Sequence, residues 1–271
     1  MSRLRLSPSM IKSYWNYKDK EECGIMFEQQ YVSRTEIQKA ITTPMEIGRR
    51  FEYLASGALQ RDGSVPPPLL TEKTRKPSAD NSRVYEQAGR FRLLFDKKGY
   101  ELESVQEKLV LDRGNYDLVN VLDIVFFENG VKGIIDLKST GLLTNKWEDT
   151  GWAPERLHQK KKLLIQAACN IITAREIWLQ EYIPYYFYVA SSTNDVDVGF
   201  YEMHFSERAL AEYDDLIEDA AISIEVEDEL GFTPFPDHKR CAECPLMATC
   251  QHATDLPIIT KIFIDTQKQI L

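Results

Sequence analysis

The sequence contains no uninterrupted apolar run of about 18 residues, so no transmembrane helix can be drawn from it. Its start, MSRLRLSPSM, has no apolar signal core, and the expectation is a cytoplasmic protein with no membrane partner. Basic charge is in deficit: 33 Lys and Arg stand against 42 Asp and Glu, a net charge of -9, which speaks against wholesale wrapping of nucleic acid. No internal repeat is visible and no linker forces two domains, so a single domain over 1–271 is expected. What is present excludes disorder as the dominant state, because 43% of the 271 residues are hydrophobic, enough for one sizeable core or two modest ones.

The charge is unevenly spread. Basic clusters stand at Arg49 and Arg50, between Lys73 and Arg83, and at Lys160, Lys161 and Lys162, while acid gathers between Glu207 and Glu229. Such a field permits an anion-binding groove despite the acidic total.

Five cysteines without a secretion signal read as reduced thiols or metal ligands and not as disulfides. Cys241, Cys244 and Cys250 form C-x2-C-x5-C, Cys23 lies far upstream, and Cys169 sits alone in an apolar helical pattern as a small buried hydrophobe. Four thiolates suit zinc or an iron–sulfur cluster by count. Structural zinc usually takes two close pairs, whereas here one ligand is early and three are late, which favours a 4Fe-4S cluster with Zn2+ as the alternative.

Ser7 before Pro8 reads as the N-cap of a first helix. Thr43-Pro44-Met45-Glu46 reads as a capping box opening a second, with Ile47, Phe51, Leu54, Ala55 and Ala58 on one stripe. The prolines and mixed polar residues of 62–82 predict a loop or insertion, followed by a helix from Val84 that ends at Gly99. Tyr100 to Lys138, divided at Arg113-Gly114-Asn115 and Asn129-Gly130, predicts a three-stranded meander. A helix from Pro154, a hairpin around Thr193-Asn194-Asp195 and an acidic helix from Glu207 to about Glu229 complete the reading.

Asn-Gly between Phe126-Phe127-Glu128 and Val131-Lys132-Gly133 predicts a two-residue type I′ turn, which sets the register. Glu128 then pairs with Val131, and Asp123 falls opposite Asp136 with Cβ atoms about 5 Å apart. Opposed carboxylates repel, so they need a cation or a shared proton, and Lys138 points to the same face as Asp136. The competing reading is a solvated strand face. The apolar neighbours Val125, Phe127 and Ile134 on that face, and Leu122, Ile124, Phe126 and Ile135 on the other, make solvated aspartates less fitting. Downstream, Gln159, Lys162, Gln166 and Asn170 form a polar stripe that suits either a groove-facing side or a plain amphipathic helix.

Asp123, then Asp136-Leu137-Lys138, with Gly48-Arg49-Arg50-Phe51-Glu52 upstream and Gln166 downstream, resembles the PD-(D/E)XK nucleases of the RecB type. The cysteine spacing resembles the AddB-type and CRISPR-associated iron–sulfur exonucleases, a phage member included. The resemblance implies an α/β restriction-endonuclease-like core, a central mixed sheet flanked by helices, with the termini joined at a cluster on Cys23, Cys241, Cys244 and Cys250 contributed by 1–40 and 230–255. It further implies a DNA exonuclease on single-stranded or end-resected DNA, dependent on Mg2+ or Mn2+ held by Glu52, Asp123, Asp136 and the Leu137 carbonyl. Lys138 and Gln166 complete the catalytic set, and Arg49, Arg50, Lys160, Lys161 and Lys162 track the DNA backbone. Because no helicase motif is present, unwinding falls to a helicase, recombination or CRISPR partner, in a cytoplasmic, nucleoid-associated setting. The alternative is a non-cleaving DNA-binding or scaffolding subunit. Two positions depart from the pattern: Asn170 where the family places Tyr, and Asn120 where it often places Gly.

Overall fold

The computed structural model spans 1–271 and describes residues 3–35, 37, 41–60, 62–71, 73–141, 143, 147, 160–193 and 197–253. The chain runs through β1 (Leu4–Leu6), α1 (Pro8–Lys18), α2 (Gly24–Phe27), a π-helical turn (Glu28–Val32), α3 (Thr43–Ser56), α4 (Ala79–Lys98), β2 (Glu101–Asp112), β3 (Tyr116–Glu128) and β4 (Val131–Thr140). It continues through α5 (Lys161–Trp178), β5 (Tyr185–Ser191), β6 (Val198–Glu202), α6 (Glu207–Leu230) and α7 (His238–Ala242). Two compact units result, Met1–Lys12 with Ala40–Ser223, and Ser13–Lys39 with Ile224–Leu271. Among the described residues no helix is long and apolar enough to cross a membrane.

The first unit is built on a six-stranded mixed sheet in the order β1-β3-β4-β5-β6, with β2 also paired to β3. Because β2 runs antiparallel along nearly all of β3, β1 and β4 share the other edge of that strand. β1 pairs in parallel up to Leu6–Leu118, and β4 pairs in antiparallel from Glu128–Val131 to Ile124–Ile135. Asn129 and Gly130 have φ of 52° and 80°, as the type I′ turn demands, and the predicted register holds as far as Ile124–Ile135. Along its other edge β4 pairs in parallel with β5 from Ile134–Tyr185 onward, Asp136 beside Phe187 and Lys138 beside Val189.

Both faces of the sheet are covered. On one, Ile47, Phe51 and Ala55 of α3 with Val84, Ala88 and Phe91 of α4 pack against Ile124, Phe126, Ile135, Leu137, Tyr186 and Tyr188. Burying a side chain such as Phe51 or Phe126 contributes about 1.5–3 kcal/mol. On the other, α5 lies against β2 and β3, with Ile165, Ala168, Cys169 and Ile172 buried. Asn120 is fully buried there and donates to Thr173 Oγ1 and, at 3.5 Å, to the Cys169 carbonyl, so the position where the family often has Gly serves as a polar tie to α5.

The second unit joins early and late chain through aromatic side chains. Tyr17 stacks on Phe27 at 6.2 Å, and Phe232 meets Phe27 at 5.3 Å. Phe235 lies 5.7 Å from Tyr17, and the Thr233 N–H donates to Tyr17 Oη at 3.1 Å. Gly24 is required here, since a Cβ would run into the Thr233 carbonyl oxygen. Asp237 caps α7, accepting from the amides of Lys239 at 2.8 Å and Arg240 at 3.3 Å.

Two boundaries differ from the sequence reading. The N-cap of α3 is Thr42, not Thr43: its carbonyl accepts from Met45 and Glu46 at 2.9 and 3.0 Å, and Pro44 is tolerated in the first turn because its missing N–H is not needed there. The loop expected over 62–82 ends at the N-cap Ser78, because Asp80 favours the positive end of a helix and α4 begins at Ala79. Within the polar stripe of α5, Gln166 and Asn170 reach sheet residues, Asn170 being 2% exposed, while Lys162 is exposed. The expected helix start at Pro154, Gln159, the turn residues Asn194 and Asp195, and residues 254–255 lie outside the described residues.

Gly133 sits opposite Phe126, and a Cβ there would come within 2.6 Å of the ring and 3.0 Å of the Pro184 carbonyl. Gly133→Ala is therefore expected to destabilise the first unit by about 1–3 kcal/mol. A thermal melt checks this, and an unchanged melting temperature would contradict the close approach.

Candidate active site

Asp123 lies where the β3–β4 ladder has stopped. It does not pair with Asp136 across the ladder. Its carboxylate accepts from the Leu137 N–H at 2.8 Å through Oδ2, so a side chain takes the place of a backbone partner. Asp136, 2% exposed, points to the α5 face, where Oδ2 accepts from Gln166 Nε2 at 2.7 Å and from the Tyr185 hydroxyl at 3.1 Å. Lys138, two residues on and on the same face, forms an ion pair with Asp136 Oδ1. The structure thus brings Asp123, Asp136, Lys138, Gln166 and Leu137 together as the sequence pattern anticipates, with Glu52 reaching the group from α3.

Two residues of the constellation were not anticipated. Gln106 of β2 donates from Nε2 to Glu52 Oε1 at 2.7 Å and to Asp123 Oδ1 at 3.1 Å, bridging two carboxylates. The signal existed, because counting back through the Arg113-Gly114-Asn115 turn puts Gln106 opposite Asp123. Tyr185, fully buried, accepts from Asn170 Nδ2 at 3.2 Å while donating to Asp136. Asn170 thus acts on the carboxylate through a tyrosine supplied by β5, a link that depends on a parallel register no local sequence feature encodes.

The electrostatics follow from packing like charges in a covered sheet. Burial, then the negative charge of Asp136, pushes the Asp123 carboxyl up to about 7, against the opposing pull of Lys138. Glu52 is raised as well, chiefly by burial. Burial by itself would lower the Lys138 ammonium, but Asp136, Asp123 and Glu52 together hold it above its ordinary value. Asp136 Oδ1 is buried and accepts no hydrogen bond of good geometry among the described residues. Three carboxylates, Glu52, Asp123 and Asp136, with one ammonium among them leave excess negative charge, a set that suits a hard divalent cation. Among the described residues no three His, Cys, Asp or Glu side chains are arranged ready around one ion. The reason is local: N–H groups of Gln106, Lys138, Gln166 and Leu137 occupy the carboxylate oxygens.

The basic residues divide. Arg49 and Lys162 are exposed and Lys161 is partly so. Arg50 is tied down instead, donating to the Pro66 carbonyl at 2.5 Å and lying 5.5 Å over the Tyr53 ring. Lys160 is only 7% exposed, its ammonium 4.9 Å from the Trp147 ring centroid, so apolar packing has taken a residue expected on the surface.

In the second unit, Cys23, Cys241, Cys244 and Cys250 line one cavity of about 30 Å³ with Ile25, Met26, Leu246 and Met247, and all four thiols are free. The Phe235 N–H donates to Cys23 Sγ at 3.5 Å. Four soft donors on a common apolar cavity fit a thiophilic metal, although no ready-made metal arrangement is present among the described residues. Cys169 stands apart in the first unit, fully buried, its thiol raised by that burial.

No protein-family model matches the chain, and no curated protein matches it. Among solved structures, it is similar to a protein of Eubacterium rectale named "Putative exonuclease", at 18% identity and a TM-score of 0.62, covering 94% of this chain and 91% of that one. At that identity the likeness is one of fold, a nuclease-like mixed sheet flanked by helices. The structure of SSO0001, at 16% identity over 90% of this chain and 96% of that one, has a TM-score of 0.33 and carries no argument.

Tyr185→Phe removes a donor from Asp136 and leaves the buried Asn170 amide without its acceptor. The expected cost is about 1–3 kcal/mol of stability. Denaturant titration reads it, and a variant as stable as the parent would show that the Asn170–Tyr185–Asp136 chain is not formed.

Proposed function

We propose that the protein is a metal-dependent deoxyribonuclease, an exonuclease acting on single-stranded or end-resected DNA. The observation that carries this reading is the convergence of Glu52, Asp123, Asp136 and Lys138 at the point where the β3–β4 ladder opens. Glu52, Asp123, Asp136 and the Leu137 carbonyl would hold one or two Mg2+ or Mn2+ ions, which when bound lower the pKa of water and stabilise charge on a phosphate. Gln166 and Tyr185 fix the Asp136 carboxylate from one side, leaving its other oxygen toward Lys138. Lys138 offers an ammonium to orient the attacking water or the scissile phosphate, and in-line attack then breaks the P–O bond. Arg49 and Lys162, which are exposed, and the partly exposed Lys161 would follow the phosphate backbone. A DNA substrate accords with a cytoplasmic, nucleoid-associated location and with a helicase or recombination partner that supplies ends.

The test is incubation with end-labelled linear and circular, single- and double-stranded DNA in Mn2+. Degradation confined to linear DNA supports exonuclease action, cutting of circles makes it an endonuclease, and no cutting anywhere leaves a DNA-binding or scaffolding subunit. Asp136→Ala is expected to abolish cleavage in a folded protein, and retained Mn2+-dependent activity would sink the assignment. Lys138→Ala is expected to lose turnover while DNA binding is largely kept, since the side chain is held at the carboxylates; an equal loss of binding would make it a phosphate clamp.

For the second unit the reading is a 4Fe-4S cluster on Cys23, Cys241, Cys244 and Cys250, tying early to late chain. Zinc is the alternative, since four thiolates around one apolar cavity suit it equally by donor type. Cys23→Ala and Cys250→Ala should each bleach visible absorbance and lower the melting temperature, whereas Cys169→Ala should leave the chromophore intact. A colourless parent protein containing zinc would decide for the alternative.

A further inference from the structure

β2 carries a bulge between Leu102 and Ser104 and, at Gln106, a second departure from regular strand geometry. The φ of Gln106 is 51°, a left-handed conformation that a residue bearing a side chain seldom adopts inside a strand. The residues on either side keep their places in the ladder, Val105 opposite Ile124 and Glu107 opposite Leu122, so Gln106 stands across from Asp123. From there Nε2 donates to Glu52 Oε1 at 2.7 Å and to Asp123 Oδ1 at 3.1 Å. Ionised carboxylates only accept, so it is the NH2 end of the amide that must face them, with both protons engaged by carboxylates from two separate elements. A neutral group with two donors therefore bridges two of the carboxylates that would hold the ion.

We propose that Gln106 is a positioning residue that stands in for the cation: it holds Glu52 and Asp123 together when no ion is bound, and it must release both when one binds. Gln106 thereby sets the threshold for metal loading. The inference rests on the reading that Glu52, Asp123 and Asp136 take a divalent cation. Its consequence separates it from ordinary scaffolding. A merely structural residue, when replaced, weakens stability and metal binding together, whereas loss of a stand-in weakens the ion-free protein and strengthens its binding of the ion.

The experiment measures Mn2+ binding by titration calorimetry and melting temperature with and without Mn2+, on the full chain with its cysteine site intact and loosely bound ions dialysed away. Gln106→Met keeps the length of the side chain and removes both donors. It is expected to melt lower than the parent without Mn2+, to bind Mn2+ about tenfold more tightly, the worth of a charge-assisted hydrogen bond no longer to be broken, and to gain more on Mn2+ addition. Gln106→Glu adds a fourth carboxylate and should show the same opposition more strongly, with a lower ion-free melt and a larger Mn2+ shift, so a poorly packed methionine does not decide the matter alone. Variants that bind Mn2+ no more tightly than a parent that does bind it would overturn the role of Gln106 and leave the metal reading standing. A parent as indifferent to Mn2+ as Asp123→Asn would overturn both.

Discussion

Two carboxylates of like charge, Asp123 and Asp136, held inside a sheet covered on both faces, are the constraint around which the first unit is arranged. Burial, together with the negative charge of Asp136, resists ionisation of Asp123, which is why its carboxyl is pushed up to about 7. What makes the pair tolerable is a shell of donors: the Leu137 N–H and Lys138 from β4, Gln106 from β2, Gln166 from α5 and Tyr185 from β5. Each comes from an element that also carries apolar side chains into the cores on either side. Packing and charge placement are therefore one problem, and a change in the register of any of these strands would strand a buried charge.

The sheet itself provides the opening. A strand has two edges, and β3 spends one of them on β2 while dividing the other between β1 and β4. The ladder stops at Ile124–Ile135 while β4, paired along its other edge with β5, runs on to Thr140, and the space beside it is occupied by side chains. Asp123 meets the Leu137 amide with its carboxylate, satisfying a backbone donor that the ladder has left. Polar chemistry is thus concentrated where regular hydrogen bonding ends, and the left-handed backbone at Gln106 sits directly opposite. The helices close the arrangement, α3 bringing Glu52 from one side and α5 bringing Gln166 from the other.

In the second unit the joining of distant segments has two sources. Tyr17, Phe27, Phe232 and Phe235 make an aromatic cluster between residues more than two hundred positions apart in the chain, and the four cysteines line a cavity beside them. Aromatic burial of this extent contributes on its own, and Gly24 permits the close approach of the late segment. The thiols are placed by these contacts, with the Phe235 amide directed at Cys23.

Much of this was legible in the linear order because it is local. The Asn129-Gly130 turn dictates the β3–β4 register by the positive φ both residues require, and that register points Asp136 and Lys138 to one face. Apolar spacing marked the buried stripes of α3 and α4, and Gly99 the end of α4, to within a few residues. Where neighbouring residues competed for one role, as Thr42 with Thr43 at the N-cap, the spacing alone was ambiguous. Tertiary structure decided what depends on non-local pairing: that the ladder ends one step before Asp123, that a tyrosine from β5 answers Asn170, and that Lys160 is packed under Trp147 instead of reaching solvent. These outcomes arise because hydrophobic burial fixes the strands and helices first, and each polar side chain must then find a partner among whatever groups that packing has brought within hydrogen-bond reach.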